Sequence, residues 1–429
     1  MLKRFALQHL VNWYRKTNRK PLVLSGARQV GKTWLIKEFG KTHYVQTAYV
    51  NFDNNARMRQ LFSGDYEVSR LIAGLQAETG LTISPRDTLI VFDEVQTNPS
   101  ALTSLKYFCE DAPQFAVVAA GSLLGLAIQE GTGFPVGKVD SMTLYPMSYP
   151  EFLEAIGEGQ LGALLASRDW PLVKAMKDKF IDALRNYYFV GGMPEVVETF
   201  CRNRSYAEVR DVQANLLSDY ARDFAKHAPR AVVPRIRLLW DSIPAQLAKE
   251  NKRFVYGDVA KGARSRDFAA AMGWLQGAGL VYQVHRVTKP GVPLAAYADE
   301  AFKLYGVDVG LLAAQSGLGA RALLEGNRVF TEYKGALTEQ YVQQEMRVSR
   351  GIAPFYWSAE NAKAEVDFLY SSDEDILPVE VKAEENLKAK SLRSYFDRFA
   401  PRRCVRTSMS DYHAESWLIN LPLYAVSQL

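Results

Sequence analysis

The chain has 429 residues, 48% of them hydrophobic and 23% charged, with a formal net charge of +5. One hydrophobic core does not serve that length, so two to four domains are expected, and the composition excludes a disordered, collagenous or fibrous chain. Residues 89–92 and 115–120, the longest apolar runs, fall far short of the roughly 20 residues a membrane-spanning helix needs, so no membrane partner is expected.

The N-terminus Met1-Leu-Lys-Arg4 lacks the apolar core and cleavage site of a secretory signal, which points to the cytoplasm. Cys109, Cys201 and Cys404 form neither a disulfide framework nor zinc-ligand spacing.

After a short helix, residues 21–24 read as a strand, 26–31 as a loop and 33–39 as the start of a helix. The loop Gly26, Ala27, Arg28, Gln29, Val30, Gly31, Lys32, Thr33 fits GxxxxGK[ST] at every fixed position, in the strand-loop-helix context the pattern requires. Backbone N–H groups of such a loop cradle phosphates, Lys32 neutralises them and Thr33 ligates Mg²⁺. ATP and Mg²⁺ are therefore the expected cofactors, with Trp34 opening the helix beside them.

Further strands are expected at 43–52, 88–92 and 115–120, around a helix at 100–110, which makes residues 1–150 a doubly wound α/β core. The apolar strand 89–92 delivers Asp93 and Glu94 at its C-terminal end, where ligands bind in open parallel sheets. Asp93 is expected to hold the metal through water and Glu94 to act as general base on the attacking water. Ser122, after the third strand, is placed to touch the γ-phosphate or that water, or else caps a helix.

Residues 151–228 read as a helical lid broken by Gly191-Gly-Met-Pro194, and 229–300 as a winged helix: a helix at 234–248, a short strand at 254–256, helices at 256–260 and 265–277, then a hairpin from 280. Ten Lys or Arg against three acids between Lys226 and Arg266 suggest a partner in duplex or branched DNA, with weak sequence preference because the 265–277 helix is rich in Ala and Gly. Protein binding is the alternative for such a module.

Residues 301–429 read as a second α/β domain, with a helix at 337–349, strands at 355–358, 365–370 and 376–381, and a helix after 390. Asp367 with Glu380-Val381-Lys382 has the spacing of a PD-(D/E)xK nuclease site, and Glu339 fits its first-helix acid. Residues two apart on a strand share a face. Asp367 and Glu380, with Glu339, would hold Mg²⁺, and Lys382 would position water for phosphodiester hydrolysis. Glu365 shares a face with Asp367. Two other readings stand beside this one: a strand edge with solvated charges, and a nuclease-like fold that binds without cutting. Lys388, Lys390, Arg393, Arg402 and Arg403 are candidate phosphate contacts.

Taken together, the loop at 26–33, Val91-Phe-Asp-Glu-Val-Gln96, Ala120-Gly-Ser-Leu-Leu124, Leu144-Tyr-Pro-Met-Ser-Tyr-Pro-Glu-Phe152, Gly191-Gly-Met-Pro-Glu-Val196, Phe302-Lys-Leu-Tyr305 and Asp308-Val-Gly310 resemble a prokaryotic family. It is that of AAA+ ATPases related to archaeal-type and STAND NTPases, with a C-terminal domain of unknown function. The resemblance implies that Pro194 packs near the nucleotide base and that the protein assembles as a homo-oligomer completed by a neighbour's arginine. Lys138 stands where family members carry arginine, so no arginine finger is assigned. The expected function is an ATP-hydrolysing protein acting on DNA, the alternative a STAND-like signalling switch with an inert nuclease-like domain.

Overall fold

The computed structural model describes residues 2–129, 133–321, 328–359, 364–372, 375–385 and 389–429. The chain divides into two compact units, one of Arg4–Tyr145 with Gly273–Leu280, the other of Met1–Lys3, Pro146–Met272 and Val281–Leu429.

The first unit opens with helix α1 (Ala6–Tyr14) and continues β1 (Leu22–Ser25), α2 (Lys32–His43), β2 (Gln46–Asn51), α3 (Ala56–Phe62), α4 (Val68–Thr79), β3 (Thr88–Asp93), α5 (Pro99–Asp111), β4 (Ala116–Ala120), α6 (Leu124–Gln129) and β5 (Asp140–Thr143). Its five strands lie in the order β2-β3-β4-β1-β5, all parallel. Every residue of β3 and β4 is buried, as in parallel strands covered on both faces, which is why they read as unbroken apolar runs. Phe52, Phe62 and Phe92 meet edge to face with ring centroids 5.4 to 5.5 Å apart, and Leu71, Leu102 and Phe108 close the same core. Truncating a buried Phe such as Phe92 to Ala costs about 3–5 kcal/mol.

The second unit begins with helices: α7 (Tyr149–Ala155), α8 (Gly159–Ser167), α9 (Trp170–Ala175), α10 (Lys177–Val190), α11 (Pro194–Asn203), α12 (Tyr206–His227), α13 (Val233–Leu247), α14 (Tyr256–Val259) and α15 (Ser265–Gly277), the last of which runs on into residues of the first unit. Then come β6 (Val281–Val287), β7 (Ala298–Gly306), α16 (Val309–Gln315), α17 (Arg328–Arg350), β8 (Phe355–Ser358), β9 (Glu365–Ser371), β10 (Ile376–Val381), α18 (Lys390–Phe399), β11 (Cys404–Ser408), β12 (His413–Ala414) and β13 (Leu418–Pro422).

The three helices and hairpin expected at 229–300 are present, but residues 254–256 form no strand. One bridge joins Arg253 to Lys303, beside a bond from Phe254 N–H to the Phe302 carbonyl (2.8 Å). The hairpin is not separate from the strands C-terminal to it. It belongs to an eight-stranded sheet in the order β12-β13-β11-β10-β9-β8-β6-β7. The segments expected as lid, winged helix and C-terminal domain thus lie in one compact unit, because β6 pairs with β8 as well as with β7. The strands β11 and β13 were not expected; β11 runs parallel to β10, with Glu380 beside Arg406.

Candidate functional site

The phosphate-loop residues sit at the C-terminal end of β1. Gly26 has φ +140°, and a Cβ there would lie 2.2 Å from the Leu144 carbonyl oxygen, so only glycine lets the loop pass β5 this closely. Gly31, at φ 92°, is the N-cap of α2. Arg4, whose role no sequence pattern marks, is buried beneath the loop and donates to the carbonyls of Val30 (2.8 Å) and Tyr145 (2.7 Å).

Lys32 is 7% exposed and donates to the Gly26 (2.8 Å) and Ala27 (2.9 Å) carbonyls. Burial lowers its ammonium to about 8, while Glu94 and Asp93 pull the other way. On the next residue, Thr33, Oγ1 donates to Asp93 Oδ2 at 2.8 Å, an oxygen that also accepts from the Tyr49 hydroxyl at 2.6 Å. The structure thus joins the two residues expected to share Mg²⁺ and adds Tyr49. A hydroxyl beside a carboxylate is the hard-oxygen donor set that Mg²⁺ prefers, so these residues fit it.

Glu94 occupies the left-handed region at φ 51° and ψ 39°. Its carboxylate accepts from Gln96 Nε2 at 2.6 Å, and a Cβ on Gly121 would lie 1.9 Å from Gln96 Oε1. Gln96 is therefore pressed between the base candidate and the end of β4, a role no local pattern announced. Ser122 is buried just beyond β4. Trp34 is 37% exposed on α2, and Lys138 forms a surface ion pair with Glu110 at 2.7 Å.

Pro194 lies in the second unit, at the first turn of α11. Within that unit the preceding glycines pack on Asp308 and Met147. Gly192 N–H donates to Asp308 Oδ2 (2.6 Å) and Met147 N–H to the Gly192 carbonyl (2.6 Å). Asp308 Oδ1 caps α16 through Leu311 N–H (3.0 Å), and Gln344 Nε2 reaches both Asp308 Oδ2 (3.3 Å) and the Tyr187 hydroxyl (2.9 Å). Burial raises Asp308 to about 6, against hydrogen bonds that lower it. The motif segments at 147, 191–194 and 308–310 thus form one buried polar network.

The C-terminal residues are arranged differently from the expected metal centre. Glu339 is 5% exposed. It accepts from Lys252 Nζ on Oε1 (2.5 Å) and from the Tyr305 hydroxyl on Oε2 (3.1 Å). Lys303, fully buried, places Nζ 2.6 Å from Glu365 Oε1 and 3.5 Å from both Glu339 Oε2 and Asp367 Oδ1. Asp367 Oδ2 accepts from Val381 N–H at 2.8 Å. Burial would raise the Glu339 carboxyl, but the two ammonium groups outweigh it and hold it low; burial and the neighbouring Glu339 charge raise Asp367.

Glu380, 4% exposed, pairs through Oε1 with Lys382 Nζ at 2.6 Å, and its Oε2 has no hydrogen-bond partner. As they are arranged around these lysines, no three His, Cys, Asp or Glu among the described residues form a group that could hold a metal ion.

Of the ten cations between 226 and 266, Lys252 is thus taken up inside the fold, and Lys249 pairs with Asp258 (2.5 Å). Arg230, Arg235, Arg237, Lys261, Arg264 and Arg266 are exposed. Arg393 pairs with Asp397 at 2.9 Å and lies over the Trp417 ring. Lys388 lies outside the described residues.

Comparison with known proteins matches three stretches of the chain. Residues 18–153 match the model of an AAA domain, 181–322 a domain of unknown function (DUF8612) and 334–424 a second domain of unknown function (DUF4143). No curated protein matches the sequence. Among solved structures, the Walker-type ATPase PABY2304 of Pyrococcus abyssi is similar at 14% identity and TM-score 0.43, over 73% of this chain and 96% of that one. The ORC1 protein of Aeropyrum pernix, solved in complex with DNA, is similar at 16% identity and TM-score 0.28, over 74% and 93%. The ORC2 protein of the same organism, in its ADP form, is similar at 12% identity and TM-score 0.29, over 77% and 92%. The AAA-domain match at residues 18–153 covers the five-stranded parallel sheet and the phosphate loop. No helix among the described residues is long and apolar enough to cross a membrane.

Proposed function

We propose that this chain binds and hydrolyses ATP and that its nucleotide state governs how it engages DNA. The observation carrying the ATP reading is the cluster of Lys32, Thr33, Asp93 and Tyr49 where β1 and β3 end. Lys32 neutralises the β- and γ-phosphates. Thr33 and Asp93 would hold Mg²⁺, and the ion would supply electrostatic neutralisation of the phosphate charge. Glu94 takes the proton of the attacking water. The water oxygen bonds to the γ-phosphorus, the bond to the β-γ bridging oxygen breaks, and ADP leaves with that oxygen. Gln96 is a positioning residue that aims the Glu94 carboxylate.

The DNA reading draws on the exposed Arg264 and Arg266 at the start of α15 and on Arg230, Arg235 and Arg237 nearby in sequence. Assembly with a second copy would supply the arginine the chain leaves unassigned. A second reading, a nucleotide-operated switch whose C-terminal module binds without cutting, is favoured by the lysine ion pairs of Glu339, Glu365 and Asp367.

Steady-state ATPase rates with and without duplex and branched DNA test the choice. Turnover that DNA accelerates, with the acceleration lost in Arg264→Glu/Arg266→Glu, supports action on DNA. Turnover indifferent to every DNA form sinks that part and leaves the switch.

A further inference from the structure

We infer that Lys303 is a tethered cation occupying the place a divalent metal would take in the C-terminal acidic pocket, so that the native pocket takes no catalytic metal. The inference rests on the second reading above, of a module that binds without cutting, and is independent of the ATP site.

The geometry is specific. Three carboxylate oxygens, from Glu339 on α17 and from Glu365 and Asp367 on β9, converge within 2.6 to 3.5 Å of one ammonium nitrogen. That nitrogen reaches them from β7, two strands beyond β8 in the sheet, and its residue has no exposed surface. Acids converging from two elements on one point is how a protein holds a hard cation, with Mg²⁺ or Ca²⁺ oxygens at about 2.0–2.6 Å. Here the point already carries a charge, and the Tyr356 ring lies 5.1 Å from it.

The charge balance agrees. Three carboxylates against the Lys252 ammonium leave a formal charge of minus two without Lys303, which is what a divalent ion would match. Lys303 supplies one positive charge at the point where the three oxygens converge. The remaining members of the expected nuclease set do not compensate. Glu380 is paired with Lys382.

The inference separates two ways of emptying the site. Lys303→Ala removes both the charge and the side-chain stem, leaving room for an ion. Lys303→Met removes the charge and keeps the stem. Mn²⁺ binding to nucleotide-free full-length protein, read by electron paramagnetic resonance beside thermal melting, distinguishes them. Lys303→Ala is expected to bind one Mn²⁺ more than the native chain and to regain with Mn²⁺ part of its lost melting temperature. Lys303→Met, and Lys303→Ala combined with Asp367→Asn, are expected to do neither. Lys303→Ala that shows a native circular dichroism spectrum yet no additional Mn²⁺ overturns the proposal. Should Lys303→Ala not fold, native protein against Asp367→Asn still decides. Mn²⁺ bound by the native chain and lost in Asp367→Asn, or Mn²⁺-dependent DNA cleavage lost in that variant, overturns the proposal, and equal binding supports it. None of these outcomes depends on whether ATP is hydrolysed.

Discussion

The buried ammonium of Lys32 makes ATP affinity a function of pH. In the free protein burial has lowered it to about 8. Bound triphosphate stabilises the charged form, so the nucleotide complex keeps the proton that the free protein loses as pH rises. Below pH 8 both states are protonated and affinity is flat. Above it, each pH unit costs up to about tenfold, or about 1.4 kcal/mol. Between pH 7 and 9.5 the fraction of protonated free protein falls about 30-fold, and the dissociation constant should rise by a similar factor. Titration with a fluorescent ATP analogue at constant ionic strength across that range measures it. The ordinary phosphate ionisations of ATP are complete by pH 8 and do not contribute to the rise. Affinity constant within twofold from pH 7 to 9.5 would refute the claim that Lys32 carries its charge in a desolvated position against the phosphates.

Glu94→Gln should retain ATP binding and lose about 10²- to 10⁴-fold in turnover, the usual contribution of a positioned general base; normal single-turnover hydrolysis would take the role from Glu94. Stability should also depend on pH through Glu345, whose carboxyl accepts from Tyr149 N–H at 2.9 Å and which burial raises from 4.5 to about 7. A carboxyl raised by folding favours the protonated folded state, so its contribution is present in full below 4.5 and is lost as pH rises to 7. The loss amounts to about 3 kcal/mol. The urea midpoint of the native chain should therefore fall between pH 5 and 8, and Glu345→Gln should flatten the trend. A midpoint that rises over that interval would contradict this. Glu339, held low by its lysines, acts in the opposite sense only in acid, below that window.

In the first unit β1, β3 and β4 were legible because each is an apolar run, whereas β5, Asp140–Thr143, has no such run and was not expected; the phosphate loop was legible because its glycines and Lys32 are local. Tyr49 and Arg4 were not, since what matters about them is a partner 44 or 26 positions away. Lys303 was the least legible of all. A lysine in a strand ordinarily points to water, and its acidic neighbours come from positions 339, 365 and 367, so neither spacing nor composition joins them. The same holds for β11 and β13, where Arg406 and Asn420 look like surface residues and break the apolar pattern. They are buried against each other, with Arg406 Nε donating to Asn420 Oδ1 at 3.0 Å.

The eight-stranded sheet constrains how this molecule can be dissected. A fragment ending near residue 300 would sever β7 and strip β8 from β6, exposing two rows of unpaired backbone along Val281–Val287. Such an open edge invites pairing with other chains. A fragment starting there would lack the hairpin that closes the far side of the C-terminal strands. Neither half keeps the pairing of β6 with β8, so either fragment is expected to be less stable than the whole unit.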